Sequence, residues 1–130
     1  MKTFLSELSG NEKRIINKMR ELILEIDSNV EEKVGNIMSS KKCFIYDEEG
    51  VFKYGLAKTK HHFSFHSMIM YSDQEVREFI VNNSKNLKIQ KGCVNFTNLN
   101  EFSIELFKKF LLVSAQADFS PVINHYKKKK

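Results

Sequence analysis

The sequence predicts an α+β domain with an antiparallel five-stranded sheet and N-terminal, middle and C-terminal helices packed mainly on one face. Three observations lead there. Residues Asn11 to Ile26 repeat apolar side chains at helical spacing. Residues 43–68 hold three successive runs of alternating or aromatic, β-branched character, joined by short turns. Helical patterns then return before and after a second pair of short strands. Runs of adjacent strands flanked by helices suit an antiparallel sheet, whereas a doubly wound parallel fold needs strict strand–helix alternation.

The first helix carries Ile15, Ile16, Met19, Leu22, Ile23 and Ile26 on one stripe, with Asn11 as its N-cap and Glu12 near the positive dipole end. Asp27-Ser28-Asn29 stops it. Residues Val30–Ser40 read as a short second helix, ended or bent by Gly35. CFIYD, 43–47, is strand-like. Asp47-Glu48-Glu49-Gly50 makes a hairpin loop of three or four residues. VFKYGLA, 51–57, and HHFSFHSM, 61–68, both alternate, with Phe63 and Phe65 directed to the core and His62, Ser64 and His66 opposite. Ser72 and Glu75 have the capping-box spacing for a helix burying Val76, Phe79 and Ile80. LKIQ and CVNFT form two short strands around Lys91-Gly92. Asn98 or Asn100 caps a last helix carrying Leu106, Phe107, Phe110, Leu111, Val113, Ser114 and Ala117, and Pro121 follows as its terminator.

At 130 residues, 42% hydrophobic and 28% charged, this is one domain of ordinary globular composition. The domain is expected over residues 1–120, with a basic tail at 121–130. The net charge of +5 is concentrated in Lys127 to Lys130, and without them the body is near neutral. That disfavours a nucleic-acid binder, which carries its basic stripe on the fold itself; weak, salt-sensitive contact through Lys127–Lys130 is what remains. No apolar run reaches the roughly 20 residues of a membrane-spanning helix, and the N-terminus meets charge too early for a signal peptide. Cys43 and Cys93 match no short zinc spacing. A cytoplasmic setting with reduced thiols is expected.

With the elements in place, the chain resembles the YdhG-like proteins of the YjbR/CyaY, or frataxin-like, superfamily. The resemblance covers about Leu5 to Ala117. It rests on MRELILEI, NVEEKVGNIM, the strand ending AKTKHHFSFH, and IQKGCVNF before the final helix. Lys60 and His62 stand where the family has a Lys and, two residues on, a His; Lys91-Gly92 matches its Lys-Gly turn. Where the family shows a Gly-Met-Pro-like turn, this chain has Ile37-Met38-Ser39. The resemblance implies a compact α+β domain, mostly of unknown function, with an iron-chaperone role proposed for some members.

Chemistry is sparse. His61 and His62 face opposite ways in a strand, and the Cα atoms of His62 and His66 would lie roughly 13 Å apart, too far for one ion unaided. No P-loop, dinucleotide fingerprint or G-x-S-x-G elbow is present. No cofactor is expected; the alternative is iron on an acidic face made by Glu21, Glu25, Glu31 and Glu32, since oxygen ligands suit hard ions. The best candidate site is an anion-friendly groove of Lys60, His62, Ser64 and Lys91, should their strands be neighbours. The reading is a small, non-enzymatic binding or interaction domain for an anionic small molecule or a partner protein. The alternatives are a frataxin-like iron chaperone, or a small hydrolase or transferase using Cys or His.

Overall fold

Helix α1 spans Gly10–Ile26 and is followed by four strands, β1 Glu31–Ile37, β2 Ser40–Glu48, β3 Val51–Lys58 and β4 Phe63–Ser67. Helices α2 Met68–Ser72 and α3 Gln74–Asn83 come next, then β5 Lys88–Ile89, β6 Cys93–Phe96, α4 Ile104–Gln116 and α5 Ser120–Lys128. The computed structural model describes residues 8–37, 40–59, 62–84 and 87–128. Among these the strands form one antiparallel sheet in the order β1-β2-β3-β4-β6-β5. The α+β class with an antiparallel sheet is as expected from sequence; the sheet has six strands rather than five.

The extra strand is β1, where a short helix was expected. Its residues pair antiparallel with β2, Glu32 opposite Tyr46 and Val34 opposite Phe44. An edge strand lacks a neighbour on one side and tolerates charge on both faces, so it shows no clean alternation. Gly35 is there for a close approach: a Cβ would lie 2.6 Å from Ile45 Cδ1. The hairpin from β2 to β3 is tighter than expected. Its two-residue loop is Glu49-Gly50, with φ of 52° and 79°, the positive values that a type I′ turn demands of both residues.

The core lies on one side of the sheet. Ile16, Met19 and Ile23 of α1, Ile69 and Met70 of α2, Val76 and Ile80 of α3, and Phe107, Phe110 and Leu111 of α4 gather with Phe44, Tyr54, Leu56, Phe65, Val94 and Phe96 of the sheet. Phenylalanine supplies much of the contact. The Phe65 ring meets Phe107 edge-on at 5.0 Å, Phe63 stacks on Phe96 at 5.3 Å, and Phe102 meets Phe96 and Phe107 edge-on. Such geometries add to the area term. Phe63 and Phe65 therefore face the core as their alternation requires. A smaller cluster, Cys43, Ile45 and Ala57 with Phe52, lies on the other face.

The helix caps differ from those read in the sequence. Ser9, not Asn11, opens α1 through a reciprocal capping box with Glu12. Asp73, not Ser72, caps α3, because Ser72 closes the one-and-a-half-turn α2. Ser103 caps α4, while the Asn98 carboxamide instead accepts from the Asn100 and Glu101 amides in the preceding turn. The stretch expected as a tail is helical to Lys128. Pro121 sits in the first turn of α5, where its missing N–H is not needed. Phe119 and Ile123 anchor that helix in the core.

A bulge in β3 holds the most unusual packing. Tyr46 pairs with Tyr54 and Asp47 with Phe52, which leaves Lys53 as an extra residue. Lys53 and Tyr54 both turn to the helix side. Lys53 Nζ lies 2.8 Å from Asp27 Oδ2 and 2.8 Å from Glu48 Oε1, with the Phe119 ring 5.1 Å away. The Tyr54 hydroxyl donates to the same Asp27 oxygen at 2.8 Å. Asp27 and Lys53 are each 1% exposed, so neither charge has water as an alternative partner. Removing one member of such a pair strands the other. Lys53→Ala is expected to lower the unfolding free energy by about 3–5 kcal/mol in urea titrations, whereas Lys127→Ala, which breaks the exposed Lys127–Glu49 pair, changes it by under about 1 kcal/mol. Equal effects would contradict this ranking.

Candidate functional site

The groove expected from sequence does not assemble as drawn. Lys60 lies outside the described residues, as does His61. His62 precedes β4: its amide donates to Thr59 Oγ1, and its carbonyl accepts from the Thr59 amide and hydroxyl, closing a turn. Ser64 lies on the sheet face away from the helices, where its hydroxyl donates to Asn95 Oδ1 across the β4–β6 pair at 2.6 Å. Lys91 occupies the β5–β6 turn, whose Gly92 carbonyl accepts from the Ser67 amide at the far end of β4. At about 3.3 Å per residue, His62 and Lys91 are separated by roughly the length of β4, about 16 Å. Of these, Lys91 lines a concavity.

That concavity is a groove of about 820 Å³ between the α2–α3 corner and the β5–β6 turn. Tyr71, Gln74, Arg77, Glu78, Val81 and Lys91 line it. Arg77 Nη1 donates to the carbonyls of Gln90 at 2.7 Å and Lys91 at 3.1 Å, which fixes the guanidinium against the turn. Lys91 Nζ stands 5.0 Å above the centre of the Tyr71 ring, itself 53% exposed. Glu78 accepts from Gln74 Nε2 at 3.0 Å. Lys91 thus covers one aromatic ring, and Arg77 lines the same open groove. Sequence reasoning found Lys91 but missed Tyr71 and Arg77. The signal available was Arg77 three residues into a capped helix, one position past its buried Val76, but nothing local placed it against a turn 13 residues away. A smaller groove of about 370 Å³ lies between the β2–β3 turn and α5, lined by Val51, Phe52 and Tyr126 with Glu49 and Lys127.

The acidic residues read as alternative iron ligands divide by environment. Glu21 and Glu25 are exposed on α1, and Glu31 is exposed at the start of β1. Glu32 is taken up in a structural contact. Arg20 binds it in a fork, Nε to Oε2 at 3.0 Å and Nη2 to Oε1 at 2.8 Å, and the Tyr46 hydroxyl donates to Oε2 at 2.6 Å. The Arg20 guanidinium also lies 4.2 Å over the Phe44 ring. Burial works to raise the Glu32 carboxyl, but the hydrogen bonds from Arg20 and Tyr46 outweigh it and hold it below its ordinary value. Burial, then the bond to Glu32, pushes the Tyr46 phenol far up. Among the described residues, no group of three or more His, Cys, Asp and Glu is arranged to hold a metal ion.

Both cysteines are buried. Cys93 lies directly opposite His66 in the β4–β6 pair. Burial pushes the Cys93 thiol up and the His66 imidazole down, so both stay neutral at neutral pH. A neutral thiol is a poor nucleophile. No protein-family model matches the chain, and neither curated proteins nor solved structures provide a match. No helix among the described residues is long and apolar enough to cross a membrane.

The Glu32 arrangement has a pH consequence with a definite sign. Its native carboxyl ionises below the ordinary value of 4.5, so its contribution is complete above that value and is lost as pH falls through the lower native one. Urea midpoints followed from pH 7 to pH 3 should fall more steeply below about pH 4.5 for the wild type than for Glu32→Gln. Parallel acid limbs would show that Glu32 is not so held.

Proposed function

We propose that this chain is a small binding domain that takes an anionic small molecule in the groove formed by Tyr71, Arg77 and Lys91. The observation that carries the reading is the anchored Arg77 beside Lys91. Two backbone carbonyls occupy Arg77 Nη1, while Nε and Nη2 have no hydrogen-bond partner among the described residues. A guanidinium already held in place loses little freedom on meeting a carboxylate or phosphate, and its planar fork suits both. Lys91 adds a mobile second charge, and the exposed Tyr71 ring offers an apolar platform for the rest of the ligand.

The relationship to YdhG-like proteins belongs to this proposal and rests on the motifs given above. So does the cytoplasmic setting expected from the sequence. The iron reading drew on Glu21, Glu25, Glu31 and Glu32; Arg20 and Tyr46 already occupy Glu32, and an anion site at Arg77 needs no metal.

Two-dimensional NMR titration with inorganic phosphate and a panel of phosphorylated and carboxylated metabolites tests the proposal. Shifts should centre on Tyr71, Arg77 and the Lys91-Gly92 turn. Arg77→Gln should weaken binding about 10- to 100-fold, as loss of a charged hydrogen bond does, and Lys91→Gln should weaken it to a smaller degree. Shifts confined to another surface, or affinities unchanged in Arg77→Gln, would overturn it.

A further inference from the structure

The sheet face turned away from the main core carries a row of residues that crosses five strands, β1, β2, β3, β4 and β6. Lys33 lies opposite Ile45, Ile45 opposite Gly55, Gly55 opposite His66, and His66 opposite Cys93. Gln90 continues the row, since its amide donates to the Cys93 carbonyl at 2.8 Å and its side-chain oxygen accepts from Cys93 Sγ at 2.8 Å. Cys93 is therefore set in the ladder between His66 of β4 and Gln90, whose carboxamide oxygen accepts from its thiol.

The spacing of the pair follows from the ladder. The Ser67 amide donates to the Gly92 carbonyl at 2.9 Å, which makes Ser67 and Gly92 a hydrogen-bonded pair. Pairs alternate in an antiparallel ladder, so the next, His66 with Cys93, is non-hydrogen-bonded. In such pairs the Cα atoms are about 4.5 Å apart and the side chains are at their closest. The next pair but one on the same face, Ser64 with Asn95, shows that closeness in its 2.6 Å hydrogen bond.

We propose that Cys93 and His66, with Gln90 beside them, form a binding site for a single cuprous ion. A thiolate and an imidazole are both donors that suit Cu(I), and sulfur selects it over harder ions. Two directly opposed strand residues can each place a donor within a bond length of one ion, which the widely spaced His62 and His66 cannot. The pair is reachable: His66 is half-buried and Gln90 is exposed. On binding, the Cys93 S–H bond breaks, a sulfur–copper bond forms and the proton leaves to solvent; the copper keeps its oxidation state. Gln90 serves both states, because its carboxamide accepts from the thiol and, once rotated, donates to the thiolate. This site is independent of the anion groove, which meets Gln90 only through its backbone carbonyl.

Cys43 is the internal control. It is 1% exposed on the same face, opposite Gly35 in its pairing with β1. The test is anaerobic titration of the whole protein with Cu(I) against the chromogenic chelator bicinchoninate. Wild type and Cys43→Ser should each withhold one equivalent, while His66→Ala and Cys93→Ser should withhold none, with far-UV circular dichroism showing all four folded. Should His66→Ala or Cys93→Ser not fold, His66→Asn and Cys93→Ala take their places. No equivalent withheld by the wild type, full retention without the imidazole, or loss on replacing Cys43 would each overturn the assignment.

Discussion

The buried lysine in β3 is the constraint on which the rest of this structure depends. Lys53 brings a full charge to a place where it is 1% exposed, and the fold answers with two carboxylates and an aromatic face. Each partner comes from a different part of the chain. Asp27 ends α1, Glu48 ends β2, and Phe119 precedes α5. Charges buried in this way contribute little net stability compared with an apolar replacement, but they are strongly specific, because an alternative packing leaves one of them unpaired. The bulge makes the arrangement feasible: without the extra residue, Lys53 and Tyr54 would point to opposite faces and could not both reach Asp27.

The β1–β3 and β4–β5 sides of the sheet differ in character. On the Lys53 side, ion pairs and a tight I′ turn lock α1, the β2–β3 hairpin and α5 together. A second contact of the same kind, Arg20 with Glu32 and Tyr46, fastens edge strand β1 to α1. These carboxylates are engaged in holding elements together. On the other side, where β4 runs into α2 beside the β5–β6 turn, the cations Arg77 and Lys91 line an open groove. Charge is thus used for architecture on one side and lines an open groove on the other.

What was legible in the sequence follows the same division. The stripe Ile15–Ile23, the alternation of Phe63 and Phe65 and the stripe Phe107–Ser114 were readable because each buries one face of a regular element against a large common core. Edge strand β1 was not, since an edge needs no period and its Glu32 is satisfied by residues 12 and 14 positions away. Helix α5 was missed because a proline reads as a stop after one helix and as a start for the next with equal force. The candidate groove was only a third visible: Lys91 was found from its turn, whereas Tyr71 and Arg77 meet it through tertiary packing. The lysine network could not have been anticipated, because a Lys in an alternating strand reads as solvent-facing until a bulge reverses it.

A double-mutant cycle on Asp27 and Lys53 tests this picture most directly, using Asp27→Asn, Lys53→Met and the pair, each unfolded in urea. If the buried pair organises this side of the fold, each single variant is strongly destabilised by the charge left behind. The double variant then recovers much of that loss, giving a coupling of at least about 2 kcal/mol, within the range known for contacting residues. Additive losses in the double variant would contradict the account.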